Sequence, residues 1–145
     1  MLINWNVINV RGKKVNIYYS RDGGLGWKVI DRAIPNNGQF SWGMPAFDTT
    51  SFSSKIKIEL SNNVRIHDIS EGNFILYGEP KIKMNVPNQE GLVIEDKSNY
   101  KIVWDSKNIR ENRVNLYYSD NSGAKWKPIA LDISNKGYYD WIIPS

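Results

Sequence analysis

The residues whose types and spacing could support chemistry are few. Ser20-Arg21-Asp22-Gly23-Gly24-Leu25-Gly26-Trp27 places a hydroxyl two residues before a carboxylate. Ser119-Asp120-Asn121-Ser122-Gly123-Ala124-Lys125-Trp126 repeats that spacing, with Asn121 where the first segment has Asp22. A serine nucleophile needs a base and a group that orients the base. Neither segment supplies them, and His67 is the single histidine of the chain. Ser20 and Ser119 are therefore expected to serve a turn. Their hydroxyls, with the Asp22 carboxylate or the Asn121 amide, can bond loop N–H groups in place of strand partners. Gly24 and Gly123 supply a conformation that a Cβ would penalise. Trp27 and Trp126 are expected to fold over the turn and anchor it to a sheet. Asn accepts the same bonds as Asp, so the second turn should keep its shape and lose a charge.

With no cysteine and one histidine, the chain excludes disulfides and thiol catalysis, and it argues against a transition-metal site. Calcium is the one ion the Asp/Asn loops suggest, at Asp22 or at Asp120 with Asn121. No loop has the acidic density of a strong calcium site, so no cofactor is expected. Tyr18 and Tyr117 sit at matching places beside Asn16 and Asn115. Alternation turns both rings away from the predicted core. They could stack on glycan rings, cover the second face of a sheet, or meet a neighbouring domain.

These residues belong to a repeat. Residues 3–46 align without a gap onto 102–145 at an offset of 99, with 18 of 44 pairs identical. A solenoid or propeller unit is shorter, roughly 20–50 residues. A period of this size is that of a whole small domain. Strand-like alternation dominates, as in Val15-Asn16-Ile17-Tyr18-Tyr19, its twin Val114-Asn115-Leu116-Tyr117-Tyr118, and Lys55-Ile56-Lys57-Ile58-Glu59-Leu60. Further strands are predicted at 3–8, 27–33, 64–67, 73–77, 80–86, 91–95, 100–105 and 126–131. Turn residues such as Asn36-Asn37-Gly38 and Asn135-Lys136-Gly137 separate them. The fold class is all-β, and the spacing points to antiparallel sandwiches. Domains are placed at 1–78 and 79–145. The first copy then lacks first strands like those of 80–101, and the second lacks last strands like those of 47–77. Three explanations stand open: a segment of a longer array, open ends completed by neighbouring chains, or completion within the chain, since 47–145 contains one copy of every element in permuted order.

The net charge of +4 is uneven: +4 over residues 3–46, −1 over 47–101 and +1 over 102–145. A charge that differs between twins is not a shared functional feature, and nucleic acid is not an expected partner. Lys13, Lys14, Lys55, Lys57, Lys81 and Lys83 alternate with apolar residues and read as a solvated face. Most of the tryptophans fall on the inward side and read as core, with Trp5, Trp27, Trp42 and their twins Trp104, Trp126 and Trp141 leading. No apolar run reaches the ~20 residues of a membrane span. The first residues lack the basic start and apolar stretch of a signal peptide.

The Ser-x-Asp-x-Gly-x-x-Trp pattern is the Asp box known from sialidases and other propellers. There it recurs once per blade, at roughly 40–50 residues, so the spacing of 99 argues against an enzyme of that kind. The wider pattern is Trp, V-N-[IL]-Y-Y-S, the box, W-K-x-I, N-x-G and x-W-x-x-P, closed by Ser70-Glu71-Gly72-Asn73-Phe74-Ile75-Leu76. It resembles the immunoglobulin- or fibronectin-III-like repeats of large bacterial and archaeal secreted or surface proteins. That resemblance implies an extracellular or cell-surface setting and a non-enzymatic structural module of a filament, sheath, surface layer or giant surface protein. The implied partners are copies of itself or neighbouring repeats. The alternative is an adhesin or carbohydrate-binding module that uses exposed aromatics on glycans.

Overall fold

The structure is a computed structural model and describes residues 1–8 and 14–145. The chain divides into two compact units, Met1–Glu79 and Pro80–Ser145. Every regular element among the described residues is a strand, and every named pairing is antiparallel.

The first unit holds β1 (Leu2–Asn4), β2 (Lys14–Ser20), β3 (Lys28–Pro35), β4 (Gln39–Ser41), β5 (Ser51–Leu60), β6 (Asn63–Ile69) and β7 (Phe74–Leu76). β1 pairs with β4, while the larger sheet runs β3-β2-β5-β6, with β7 beside the start of β5. Alternation on β2 sends Val15, Ile17 and Tyr19 inward. The core joins Ile3, Ile17, Tyr19, Trp42, Phe47 and Leu76, with Trp5, Ile56 and Ile58 packed against it. This is the two-layer logic of a sandwich: each sheet hides one face against the other.

The second unit holds β8 (Lys81–Val86), β9 (Asn99–Lys107), β10 (Arg113–Tyr118), β11 (Lys127–Ser134) and β12 (Tyr138–Ile142). Its sheets are β12-β9-β8 and β10-β11. Ile102, Trp104, Val114 and Leu116 form its core.

The 99-residue offset carries into the backbone. Val15↔Ile34, Ile17↔Asp31 and Tyr18↔Val29 in the first hairpin become Val114↔Ile133, Leu116↔Ala130 and Tyr117↔Pro128 in the second. Both hairpins shift register at the same two steps. Asn16 and Asn115 fix the irregularity by accepting the N–H of Ala33 (3.0 Å) and Asp132 (2.6 Å) through Oδ1. Ala33 and Asp132 both adopt positive φ, 53° and 51°, which L-residues other than Asn and Asp rarely do.

Several expectations need correction. Residues 91–95 form no strand: Gly91 takes a positive φ of 73° in a turn, and β9 begins only at Asn99. The first strand stops at Asn4 rather than reaching residue 8. Trp5 adds one last in-register bond, from its N–H to Gly38 O, and its indole N–H donates to Asn36 Oδ1. Trp126 is 64% exposed and Trp27 only half-buried, so neither is core; both lie over turns rather than between sheets. Lys57 is not a solvated lysine. It is half-buried and bonds Glu59, while Lys55 donates to the carbonyls of Ser70 and Glu71. Lys13 lies outside the described residues.

Candidate functional site

The two turns at Ser20–Trp27 and Ser119–Trp126 are built alike. Ser20 Oγ donates to Asp22 Oδ1 at 2.7 Å and accepts from the N–H of Gly24 at 2.8 Å. Asp22 Oδ1 also accepts from the N–H of Gly26 at 2.9 Å. In the second turn Ser119 Oγ donates to Asn121 Oδ1 at 2.9 Å and accepts from Gly123 N–H at 2.8 Å. Asn121 Oδ1 accepts from Lys125 N–H at 2.8 Å. Amide and carboxylate thus hold one geometry. Gly24 and Gly123 need their freedom: φ is 102° and 86°, and the Trp27 or Trp126 ring lies 3.4 or 3.6 Å from where a Cβ would stand. The Ser20 hydroxyl and backbone N–H donors hold the Asp22 carboxyl below its ordinary pKa. With both serine hydroxyls engaged in turn bonds, neither is poised as a nucleophile.

The turns differ in what surrounds them. Gly23 N–H donates to Ser53 O at 2.7 Å, and Ser51 Oγ donates to Arg21 O at 2.7 Å. The first turn is thereby tied to β5. The second turn has no such strand beside it among the described residues.

Tyr18 and Tyr117 part company for the same reason. Tyr18 Oη donates to Glu59 Oε1 at 2.7 Å, and Asn16 Nδ2 donates to the same oxygen at 3.3 Å. Lys57 Nζ sits 3.2 Å from Glu59 Oε2 and 4.4 Å from the Tyr18 ring centroid, over its face. Glu59 is only 8% exposed. Burial raises its pKa, but the Tyr18 hydroxyl, the Asn16 amide and the Lys57 ammonium outweigh that and leave it lowered. Burial, then the hydrogen bond to Glu59, push the Tyr18 phenol up. Tyr117 meets no such cluster and is 47% exposed. Alternation places Glu59 on the outer face, as it does Tyr18. No simple sequence signal marks a carboxylate there as buried; its cross-strand places opposite Asn16 and beside Tyr18 become visible only with the register.

Tyr117 lines a groove of about 880 Å³ in the second unit. Leu116, Trp126, Ile129, Trp141, Ile102 and Met84 form its apolar walls. It opens along the edge of β10 that, among the described residues, has no partner strand; the other edge pairs with β11. In the first unit, a groove of about 650 Å³ lies along β1, lined by Leu2, Ile3, Trp5, Ile56 and Ile58 among others.

Among the described residues no group of three or more His, Asp or Glu side chains is placed to hold a metal ion. His67 is exposed, with Nδ1 3.1 Å from Val64 O. Among them, too, no helix is long and apolar enough to cross a membrane. Compared with protein-family models, curated proteins and solved structures, the chain matches none.

Proposed function

We propose that the chain is a non-enzymatic structural repeat module of an extracellular filament, sheath, surface layer or giant surface protein. Its units are read as immunoglobulin-like sandwiches, about one and a half copies of a 99-residue repeat, that assemble by stacking or by strand donation. One observation carries the reading: two units share strand register, turn bonds and core aromatics, and each exposes a groove where its twin has a strand. A repeated scaffold with open sheet edges is suited to joining copies of itself. The side chains that drew attention as chemistry, Ser20, Asp22, Ser119 and Asn121, are occupied in shaping turns.

The test is the mass of the assembled protein by light scattering, with electron microscopy of the same sample. Filaments or large oligomers are expected over a rising concentration series. A monomer at every concentration removes self-assembly as the function of this segment. One observation favours a second reading, an adhesin or carbohydrate-binding module: Tyr117 and Trp126 both show open ring surface along one groove. Tyr18 does not support it, since Lys57 covers its ring face. Glycan-array binding lost on Tyr117→Ala would establish that alternative.

A further inference from the structure

The groove along β10 has a template inside the same molecule. In the first unit the equivalent edge, β2, is covered by β5. The register runs Asn16↔Glu59, Ile17↔Ile58, Tyr18↔Lys57, Tyr19↔Ile56 and Ser20↔Lys55. β10 repeats β2 almost letter for letter, VNLYYS against VNIYYS. The residues that β5 covers in the first unit are more exposed in the second. Ile17 is fully buried and Leu116 slightly exposed. Tyr19 and Ser20 are buried, whereas Tyr118 and Ser119 are half-exposed. Trp27 is half-buried, whereas Trp126 is 64% exposed.

From this we infer that the edge of β10 is a receptor site for an antiparallel strand of the Ser51–Leu60 type, carried by a neighbouring copy of the same repeat. The inference rests on the structural-module reading and deepens it by fixing occupant and register. Adding 99 to the β2 positions places Asn115 opposite the Glu59 position, Leu116 opposite Ile58 and Tyr117 opposite Lys57. The apolar side of that strand, Ile56 and Ile58, would fill the groove beside Leu116, Trp141 and Met84. Its polar side would bring Glu59 to the Tyr117 hydroxyl and the Lys57 ammonium over the Tyr117 ring. Both contacts exist in the first unit, to Tyr18. Its start would reach the second turn as Ser51 and Ser53 reach Arg21 and Gly23 in the first.

The probe is a capped synthetic peptide of residues Ser51–Leu60 added to the full chain. Saturable binding is expected, with loss of at least tenfold in affinity when the peptide carries Ile56→Ser and Ile58→Ser. Variation in the peptide leaves the fold of the protein untouched. Register is read by disulfide trapping, since the chain has no cysteine of its own. Directly opposed residues have Cα atoms about 4.5–5.5 Å apart, within disulfide reach, whereas a residue two places along stands about 7–8 Å away. Asn115→Cys should therefore trap a peptide carrying Glu59→Cys and trap one carrying Lys57→Cys at least tenfold more slowly. Equal binding by a scrambled peptide, equal trapping at both positions, or no binding at all would overturn the inference. So would cellohexaose filling the groove while the peptide does not.

The two readings fail separately. A chain that forms filaments while neither binding the peptide nor being capped by it assembles through another surface, and the inference falls alone. A chain that binds the peptide in register but stays monomeric keeps the receptor edge and loses self-assembly.

Discussion

Replacing Tyr18 with Phe removes one oxygen and tests whether the buried carboxylate of Glu59 is held as the geometry shows. The bond lost is short, 2.7 Å, and donates to a charged acceptor in a residue only 8% exposed. Hydrogen bonds to charged groups contribute roughly 1.5–3 kcal/mol. Phe keeps the ring under Lys57, and Glu59 keeps Asn16 and Lys57 as partners. The expected cost is therefore in the lower half of that range, about 2 kcal/mol at pH 7. The sign with pH follows from the lowered Glu59 pKa. A carboxylate depressed in the folded state contributes stability that is fully present above its unfolded value, near 4.5, and is lost as pH falls through the folded value. Once Glu59 is protonated, the bond is a neutral one, and the cost of Tyr18→Phe should fall toward ~1 kcal/mol. Urea unfolding read by hydrogen-exchange mass spectrometry of peptides within Met1–Glu79 isolates the first unit. Tyr117→Phe is the control, read in peptides of Pro80–Ser145 at a concentration where the chain is monomeric: the same residue on the twin strand, with no carboxylate of its own unit opposite, should shift stability by less than ~0.5 kcal/mol. Equal effects of the two substitutions, or a Tyr18→Phe cost that does not shrink as pH is lowered through the folded-state titration of Glu59, would refute the reasoning.

Asp22→Asn should leave the first turn intact, because Asn121 already makes the same bonds, while Asp22→Ala should release the Gly26 amide to exchange. Since the Asp22 pKa is lowered, wild type should lose stability as pH falls below about 3.8, and Asp22→Asn should flatten that fall in a pH-series denaturation. Ala33→Gly should stabilise the first unit by about 0.5–1 kcal/mol, because the left-handed φ of 53° is costly with a Cβ and the bond from N–H to Asn16 is kept. Ile17→Ala, at a fully buried site, should cost about 3–4 kcal/mol. Leu116→Ala, at a buried site that also lines an open groove, should cost nearer 2 kcal/mol, both read by midpoint shifts in urea.

The all-β class was legible because alternation and turn residues speak locally. Val15, Ile17 and Tyr19 declare a face without reference to any other strand. The turns were legible for the same reason: Ser20, Asp22 and Gly24 make their bonds within one loop. What sequence could not reach were effects that depend on which strand lies beside which. Lys57 and Glu59 look like ordinary outer-face charges until register sets them against Tyr18 and Asn16. Asn16 and Asn115 looked like companions of the tyrosines, but each instead caps the backbone of the adjacent strand. Trp27 and Trp126 share a motif and differ in burial, a difference no local pattern encodes. Residues 91–95 form no strand because the apolar stretch after Gly91 has, among the described residues, no partner strand to hold it.

The pattern of burial across the twins separates a missing neighbour from loose packing. If the second unit were simply less well packed, all of its residues would be more exposed than their twins. They are not. Trp104 is 3% exposed whereas its twin Trp5 is half-buried, the reverse of Trp126 against Trp27. Trp104 faces Met84 of β8 across the ladder, and the first unit has no described strand in that place. Trp27 lies near Lys57 of β5, and the second unit has no described strand there. Exposure follows the neighbouring strand in both directions, while the residues and their turns stay the same. Each unit is thus the other's record of what covers its open edge. The Ser51–Leu60 peptide asks whether that record holds in solution.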